Sequence, residues 1–244
     1  MNRLELRDIH TSYINKKIKT EVLKGISFNV IDGEFIVILG ASGSGKTTLL
    51  KTIAGLIDYD EGEMIINSID AKGLSIQNRN MSYVFQSFTT YNFLSVYNNI
   101  ALPLKAQKIG VKEIEKRVLD IAKKLDIDYL LTRRPKELSG GQKQKIALAR
   151  AFIKNPDIYL FDEPFANLDS KTKIGLKMDL KRIQKEYNAT TIFVTHDIND
   201  CLQLASRVLV IDEGKIIFDG NTTELINCTN PIVESLIKAN PNEV

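Results

Sequence analysis

The sequence predicts an α/β fold, a core of buried strands and helices interrupted by an α-helical insertion. Three observations carry that prediction. An apolar run, Phe35 to Leu39, leads into Gly40-Ala41-Ser42-Gly43-Ser44-Gly45-Lys46-Thr47-Thr48, and a helix-forming stretch follows to Ala54. A second apolar run, Ile158 to Phe161, ends in the adjacent carboxylates Asp162 and Glu163. Between the two, over residues 87–155, strand texture gives way to helical spacing.

The elements follow in order. Leu4 to Ile9 alternates apolar and polar residues, as a half-buried strand does, and Val22 to Val30 is a second strand closed by Asp32-Gly33. Strand, glycine loop and helix come next. Gly62 to Ile66 and Ser82 to Phe85 read as short strands. In the insertion, Val111, Ile114, Val118, Ile121 and Leu125 recur at helical spacing, and a second helix runs from Gln142 to Ile153. Strands resume at Ile158. Leu176, Leu180, Ile183 and Tyr187 share a helical face, Thr191 to Val194 is a buried strand, and Ile198 to Ala205 is helical. Val208 to Ile211 and Lys215 to Phe218 flank Asp212-Glu213-Gly214 as a closing hairpin, and one short helix with a loose end is expected after Asn227.

The glycine-rich segment satisfies Gly-x-x-x-x-Gly-Lys-[Ser/Thr] with Gly40, Gly45, Lys46 and Thr47 in register. Glycines let backbone N–H groups converge on phosphate oxygens, and the following helix N-terminus favours negative charge. Lys46 is expected to reach the outer phosphates and Thr47 to ligate Mg²⁺. A strand ending in Asp162-Glu163 delivers two acids beside such a loop, Asp162 for Mg²⁺ and Glu163 for polarising water. The plainer alternatives are a turn that binds nothing and a strand end with solvated acids. Leu138-Ser139-Gly140-Gly141-Gln142 precedes a helix, so Ser139 serves at least as an N-cap. The same hydroxyl, free N–H groups and helix dipole make a second anion site.

Composition narrows the function classes. The chain has 244 residues, 43% hydrophobic and 26% charged, ordinary for a globular protein. A net charge of +3 is too small to argue for nucleic acid or anionic lipid. Cys201 and Cys228 stand far apart, which fits a reducing cytosol and gives neither a disulfide framework nor a zinc site. Cys201 is expected to pack, and His10 belongs to no motif. Met1 to Asp8 lacks an apolar signal core, and no apolar run approaches the roughly 20 residues needed to cross a bilayer. Any membrane role is therefore expected to come through a partner.

Taken together, the phosphate loop, the Leu-Ser-Gly-Gly-Gln pentapeptide and the Asp-Glu strand end resemble the ATP-binding cassette family over nearly the whole chain. The resemblance implies a P-loop NTPase (RecA-like) core, residues 1–86 and 156–223, with an N-terminal antiparallel β subdomain. It also implies an inserted helical subdomain, 87–155, and a C-terminal tail, 224–244. Tyr13, upstream of the first strand pair, matches the aromatic that stacks on adenine, an ordinary surface tyrosine being the alternative. Gln86 matches the glutamine that touches Mg²⁺ and water, Asp169 the loop crossing a dimer interface, and His196 the histidine at the γ-phosphate. Ala166-Asn167 departs from the commoner Ser-Ala before that loop.

The family's chemistry implies ATP and Mg²⁺ as cofactors and two subunits that sandwich two ATPs head to tail. Ser139, Gly140, Gly141 and Gln142 of one subunit would close on the other's phosphate loop. Transmembrane permease subunits and an extracytoplasmic solute-binding protein are the expected partners, at the cytoplasmic face of the membrane, and nucleic acid is not expected. Import of a small polar solute is the leading reading. An exporter or lipoprotein-releasing type is the alternative, and a soluble cassette acting on nucleic acid or ribosomes is a more distant one. The permease contact is expected from Gln86 to Leu104, where Phe88, Tyr91, Phe93, Leu94 and Tyr97 cluster, although these side chains could also pack inside the insertion.

Overall fold

The computed structural model describes residues 1–16, 18–87, 90–166 and 168–239. The chain begins with β1 (Asn2–Asn15), β2 (Ile18–Ile31), β3 (Phe35–Leu39) and α1 (Lys46–Ala54), followed by β4 (Glu61–Ile66), β5 (Ile69–Asp70) and β6 (Met81–Val84). Three helices follow: α2 (Val96–Ala106), α3 (Val111–Lys124) and α4 (Gly140–Ile153). The chain returns through β7 (Ile158–Asp162), α5 (Ser170–Glu186), β8 (Thr190–Thr195) and α6 (Ile198–Leu204). It closes with β9 (Arg207–Asp212), β10 (Lys215–Gly220), α7 (Thr222–Ile226) and α8 (Pro231–Lys238).

The strands form two sheets, an antiparallel β2-β1-β4-β5 and a six-stranded β10-β9-β3-β8-β7-β6, in which only the β9–β10 edge is antiparallel. Every residue of β3, β7 and β8 is buried, which is why each of these strands carries an apolar run, with Asp162 at the end of β7 and threonines at both ends of β8. Side chains alternate between two cores. Phe35, Val37 and Leu39 face one core shared with α2 to α6, while Ile36 and Ile38 face another shared with α1 and the antiparallel sheet. The parallel register sets Leu39 opposite Thr195 and Asp162 opposite Val194. Gly40, Glu163 and His196 therefore leave the sheet along one edge, the carboxyl ends of the strands.

The first hairpin is longer than its alternation predicts. Leu4, Leu6, Ile9 and Thr11 are all buried, and the break in their period coincides with a register shift between Leu6 and Ile9. Asp8 sits in that bulge at φ 51, its N–H bonded to Ser27 Oγ at 2.8 Å. From Tyr13 to Glu21 the described side chains of the hairpin arm are exposed, so no alternation marks it. As a result Tyr13 lies inside β1, paired with Thr20, and not upstream of the strand pair.

The segment between β6 and β7 is helical, with Ile114, Val118 and Ile121 inward as their spacing predicts. The separate helix α2 was not anticipated; Ser95 caps it, accepting from Asn98 N at 3.2 Å. Of the aromatic cluster, Phe93 is 74% exposed, whereas Leu104 is fully buried and Tyr97 packs against the core. Leu104 is thus core, not contact surface. The single helix expected after Asn227 is α8; its loose end falls on residues 240–244, which lie outside the described residues, as do Phe88 and Asn167. Among the described residues no helix is long and apolar enough to cross a membrane.

Candidate functional site

The site begins where β3 ends. A Cβ on Gly40 would fall 2.3 Å from the Ile211 carbonyl and 2.7 Å from Ser44 Oγ, so only glycine fits there. Gly45 enters α1 at φ 108, a backbone that L side chains rarely adopt. Ala41, Ser42 and Gly43 form the exposed rim of the loop, and a Cβ on Gly43 would meet no atom within 4 Å. Ser44 Oγ is buried without a hydrogen-bond partner, an unsatisfied hydroxyl within the loop.

Lys46 is buried, and its ammonium donates to the carbonyls of Gly40 (2.8 Å) and Ala41 (2.7 Å). Burial lowers its pKa, and the negative charges of Glu163 and Asp162 oppose that shift. The two acids therefore lie within the electrostatic reach of the lysine. The Thr47 hydroxyl donates to Asp162 Oδ1 at 2.8 Å and joins α1 to the end of β7. Thr48 faces the other way, its hydroxyl 3.3 Å from the Tyr13 hydroxyl. That contact anchors Tyr13 beside the loop while its ring stays 42% exposed, able to offer a face to a flat base.

Glu163 follows β7 at φ 44, in the left-handed region, with its N–H bonded to the Val194 carbonyl at 3.0 Å. This bend turns its carboxylate toward the next strand, where Oε2 lies 2.9 Å from His196 Nδ1. His196 is held from behind. Thr195 Oγ1 donates to Asp200 Oδ2 at 2.6 Å and accepts from Asp197 N at 3.0 Å, and Asp200 Oδ1 pairs with Lys177 of α5 at 2.6 Å. Gln86 follows β6 and is exposed.

Thr47, Asp162 and Gln86 offer only oxygen donors toward a cation, the chemistry that suits Mg²⁺, an ion commonly held by one or two carboxylates together with phosphate. Among the described residues no group of three His, Cys, Asp or Glu could hold a metal by itself. The unsatisfied Ser44 hydroxyl and the Gly40 constriction fit a loop that wraps an anion closely.

The second segment stands apart. Ser139 caps α4 through a reciprocal box, Gln142 N to Ser139 Oγ at 3.3 Å and Ser139 N to Gln142 Oε1 at 3.0 Å. A Cβ on Gly140 would meet Leu168 at 3.3 Å, and one on Gly141 would meet Thr172 at 2.5 Å. Among the described residues no hydrogen bond joins this segment to residues 40–48. Asp169 caps α5, accepting from Thr172 N (3.0 Å) and Thr172 Oγ1 (2.7 Å), bonds that lower its pKa. The structure thus gathers residues 40–48, Tyr13, Asp162, Glu163 and His196 at one sheet edge and leaves Ser139 to Gln142 exposed or half-exposed on α4.

Sequence reasoning missed Tyr83, whose hydroxyl donates to Asp162 Oδ2 at 2.9 Å, and the Lys177–Asp200 pair. A tyrosine within a short buried strand beside Gln86 was the available signal for the first. His10 is clasped by Glu21 and Asp8, and Cys201 is fully buried, as their lack of any motif suggests.

Comparison with known proteins accords with this geometry. A family model for the ABC transporter family matches residues 23–166. The chain is 40% identical over 225 residues to the sn-glycerol-3-phosphate import ATP-binding protein UgpC of Roseobacter denitrificans, covering 92% of this chain and 62% of that one. It is 42% identical over 214 residues to the molybdate/tungstate import ATP-binding protein WtpC of Pyrococcus horikoshii, covering 88% and 62%. The chain therefore spans less than two thirds of the length of these relatives. Its fold superposes on the ATP-binding cassette MJ0796, solved as a dimer in a post-hydrolysis state with ADP and Pi, with a TM-score of 0.80 and 32% identity over 90% of this chain and 98% of that one. The chain belongs to the ABC transporter family, and its fold is the cassette ATPase fold, an α/β P-loop NTPase core with an antiparallel β sheet and an inserted helical part.

Proposed function

We propose that the chain binds ATP with Mg²⁺ and hydrolyses it between two copies arranged head to tail, and that this cycle drives import of a small polar solute through separate transmembrane subunits. The observation that carries the reading is the convergence at one sheet edge. Thr47 is bonded to Asp162, Glu163 to His196, and Lys46 lies in the field of both acids. Residues 40–48 would wrap the phosphates, with Lys46 turning from the Gly40 and Ala41 carbonyls toward the outer ones. Thr47, Asp162 and Gln86 would hold Mg²⁺, which supplies charge neutralisation at the phosphates. Glu163 would take a proton from the attacking water while His196 fixes its carboxylate, and Tyr13 would stack on the base.

Ser139 to Gln142 are exposed or half-exposed, and no hydrogen bond ties them to the phosphate loop of their own chain, which favours their use by a second copy. Asp169, on the neighbouring loop, would meet the same interface. The import names of the relatives support the direction. The permease contact would lie at a cavity of about 310 Å³ lined by Tyr83, Phe85, Ser87, Tyr91, Pro103 and Arg150, beside Gln86 and the helices of residues 87–155. That contact would hold the chain at the cytoplasmic face of the membrane, with an extracytoplasmic solute-binding protein as a further partner.

Glu163→Gln tests the reading. The variant should bind ATP normally and hydrolyse it about 10²–10⁴ times more slowly, the usual worth of a positioned base. Wild-type turnover in this variant would assign water activation elsewhere.

A further inference from the structure

Asp162 is the only acid proposed for the metal, and it is almost fully buried. A buried carboxylate with a free side-chain torsion would present either oxygen, or neither, to a cation. Here each oxygen has its own donor. Thr47 Oγ1 bonds Oδ1 from α1 at 2.8 Å, and Tyr83 OH bonds Oδ2 from β6 at 2.9 Å. The two donors come from different elements, α1 and the neighbouring strand β6, and together they fix the plane of the carboxylate. A carboxylate has about four lone-pair positions, so one hydroxyl on each oxygen leaves room for a cation or its water.

Tyr83 is itself held. Parallel pairing sets it opposite Leu160, two residues before Asp162, and its ring packs against Phe85 at a tilt of 36°, with centroids 4.4 Å apart.

We propose that Tyr83 is a positioning residue for the metal site: its hydroxyl, as the second anchor of Asp162, orients that carboxylate for Mg²⁺. This rests on the reading of Asp162 as the metal acid. Thr47 would engage the cation directly, whereas Tyr83 acts only through Asp162. Partners of this kind typically change metal affinity by about 10–100-fold when removed.

Tyr83→Phe removes the hydroxyl and keeps the ring and its contact with Phe85. Binding of a non-hydrolysable ATP analogue is measured by calorimetry at a series of Mg²⁺ concentrations and in EDTA. The variant should need at least about 10-fold more Mg²⁺ to reach half of the metal-dependent gain in affinity. Its affinity in EDTA should match wild type, as should its melting temperature without nucleotide. An unchanged Mg²⁺ requirement would overturn the proposal and leave the ATPase reading intact. Equal losses with and without Mg²⁺ would also overturn it, because they would mark Tyr83 as a packing residue of the loop. A wild-type chain whose nucleotide affinity ignores Mg²⁺ would overturn both this proposal and the assignment of Asp162.

Discussion

Lys177→Met should destabilise this protein markedly, although the residue lies outside the apolar core. Lys177 and Asp200 are each only 7% exposed at the side chain, and they meet at 2.6 Å. Removing one member of such a pair strands the other in a poorly solvated place, which typically costs about 3–5 kcal/mol. Asp200 keeps a 2.6 Å bond from Thr195 Oγ1, so a value near the lower end, about 3 kcal/mol, is expected. For a domain of this size that corresponds to a fall in melting temperature of roughly 6–12 °C. Urea unfolding without nucleotide measures the difference directly, and an unchanged slope would show that the unfolded state is not responsible. Lys177→Met combined with Asp200→Leu removes both charges and should recover most of the loss. A single-variant loss below about 1 kcal/mol, or no recovery in the double variant, would refute the view that this pair behaves as a buried ion pair.

Three further outcomes follow from the site. Lys46→Ala should nearly abolish ATP binding, because no other cation in the described loop faces the phosphates; equilibrium dialysis with labelled ATP decides it, and unchanged affinity would displace the site. Tyr13→Ala should raise the KM for ATP more than it lowers kcat, since stacking on the base is shared by ground and transition states; an unaltered KM returns Tyr13 to a structural role as a hydroxyl partner of Thr48. Phe93→Glu, at a side chain 74% exposed beside the proposed permease groove, should lower co-purification with the membrane subunits while leaving the melting temperature and nucleotide affinity unchanged.

The residues that proved legible are those whose chemistry is local. The glycine loop declares itself through the local spacing of Gly40, Gly45, Lys46 and Thr47, although part of what demands glycine at Gly40 is the distant Ile211 carbonyl. β3, β7 and β8 were readable because both faces of each are covered and each carries a run of at least three apolar residues. Where burial is one-sided or absent the signal fades. The described side chains of the outer arm of the β1–β2 hairpin show no alternation of burial, so its length and the place of Tyr13 within it were misjudged. α2 carries Asn98 and Asn99 and an internal Pro103, a poor helical pattern. Yet Asn99 is fully buried, bonding the backbone of Tyr91, Leu94 and Ser95 to shape the loop before the helix. α7 is unmarked for another reason, because five residues with only Leu225 buried are too short to show a helical period. The bond from Tyr83 to Asp162 and the Lys177–Asp200 pair went unread for a third, since each joins side chains of separate elements that only the folded structure brings together.

The central claim is that one chain carries two halves of a site that only a second copy completes. Light scattering on the Glu163→Gln variant tests it most directly. Without nucleotide the chain should have its own mass of 27.5 kDa, and with ATP and Mg²⁺ it should have twice that. Adding Ser139→Arg, which places a bulky side chain at the tip of α4, should hold the mass at that of a single chain while ATP remains bound. ATP bound to Glu163→Gln with no change in mass, or a doubled mass that Ser139→Arg leaves untouched, would contradict the account.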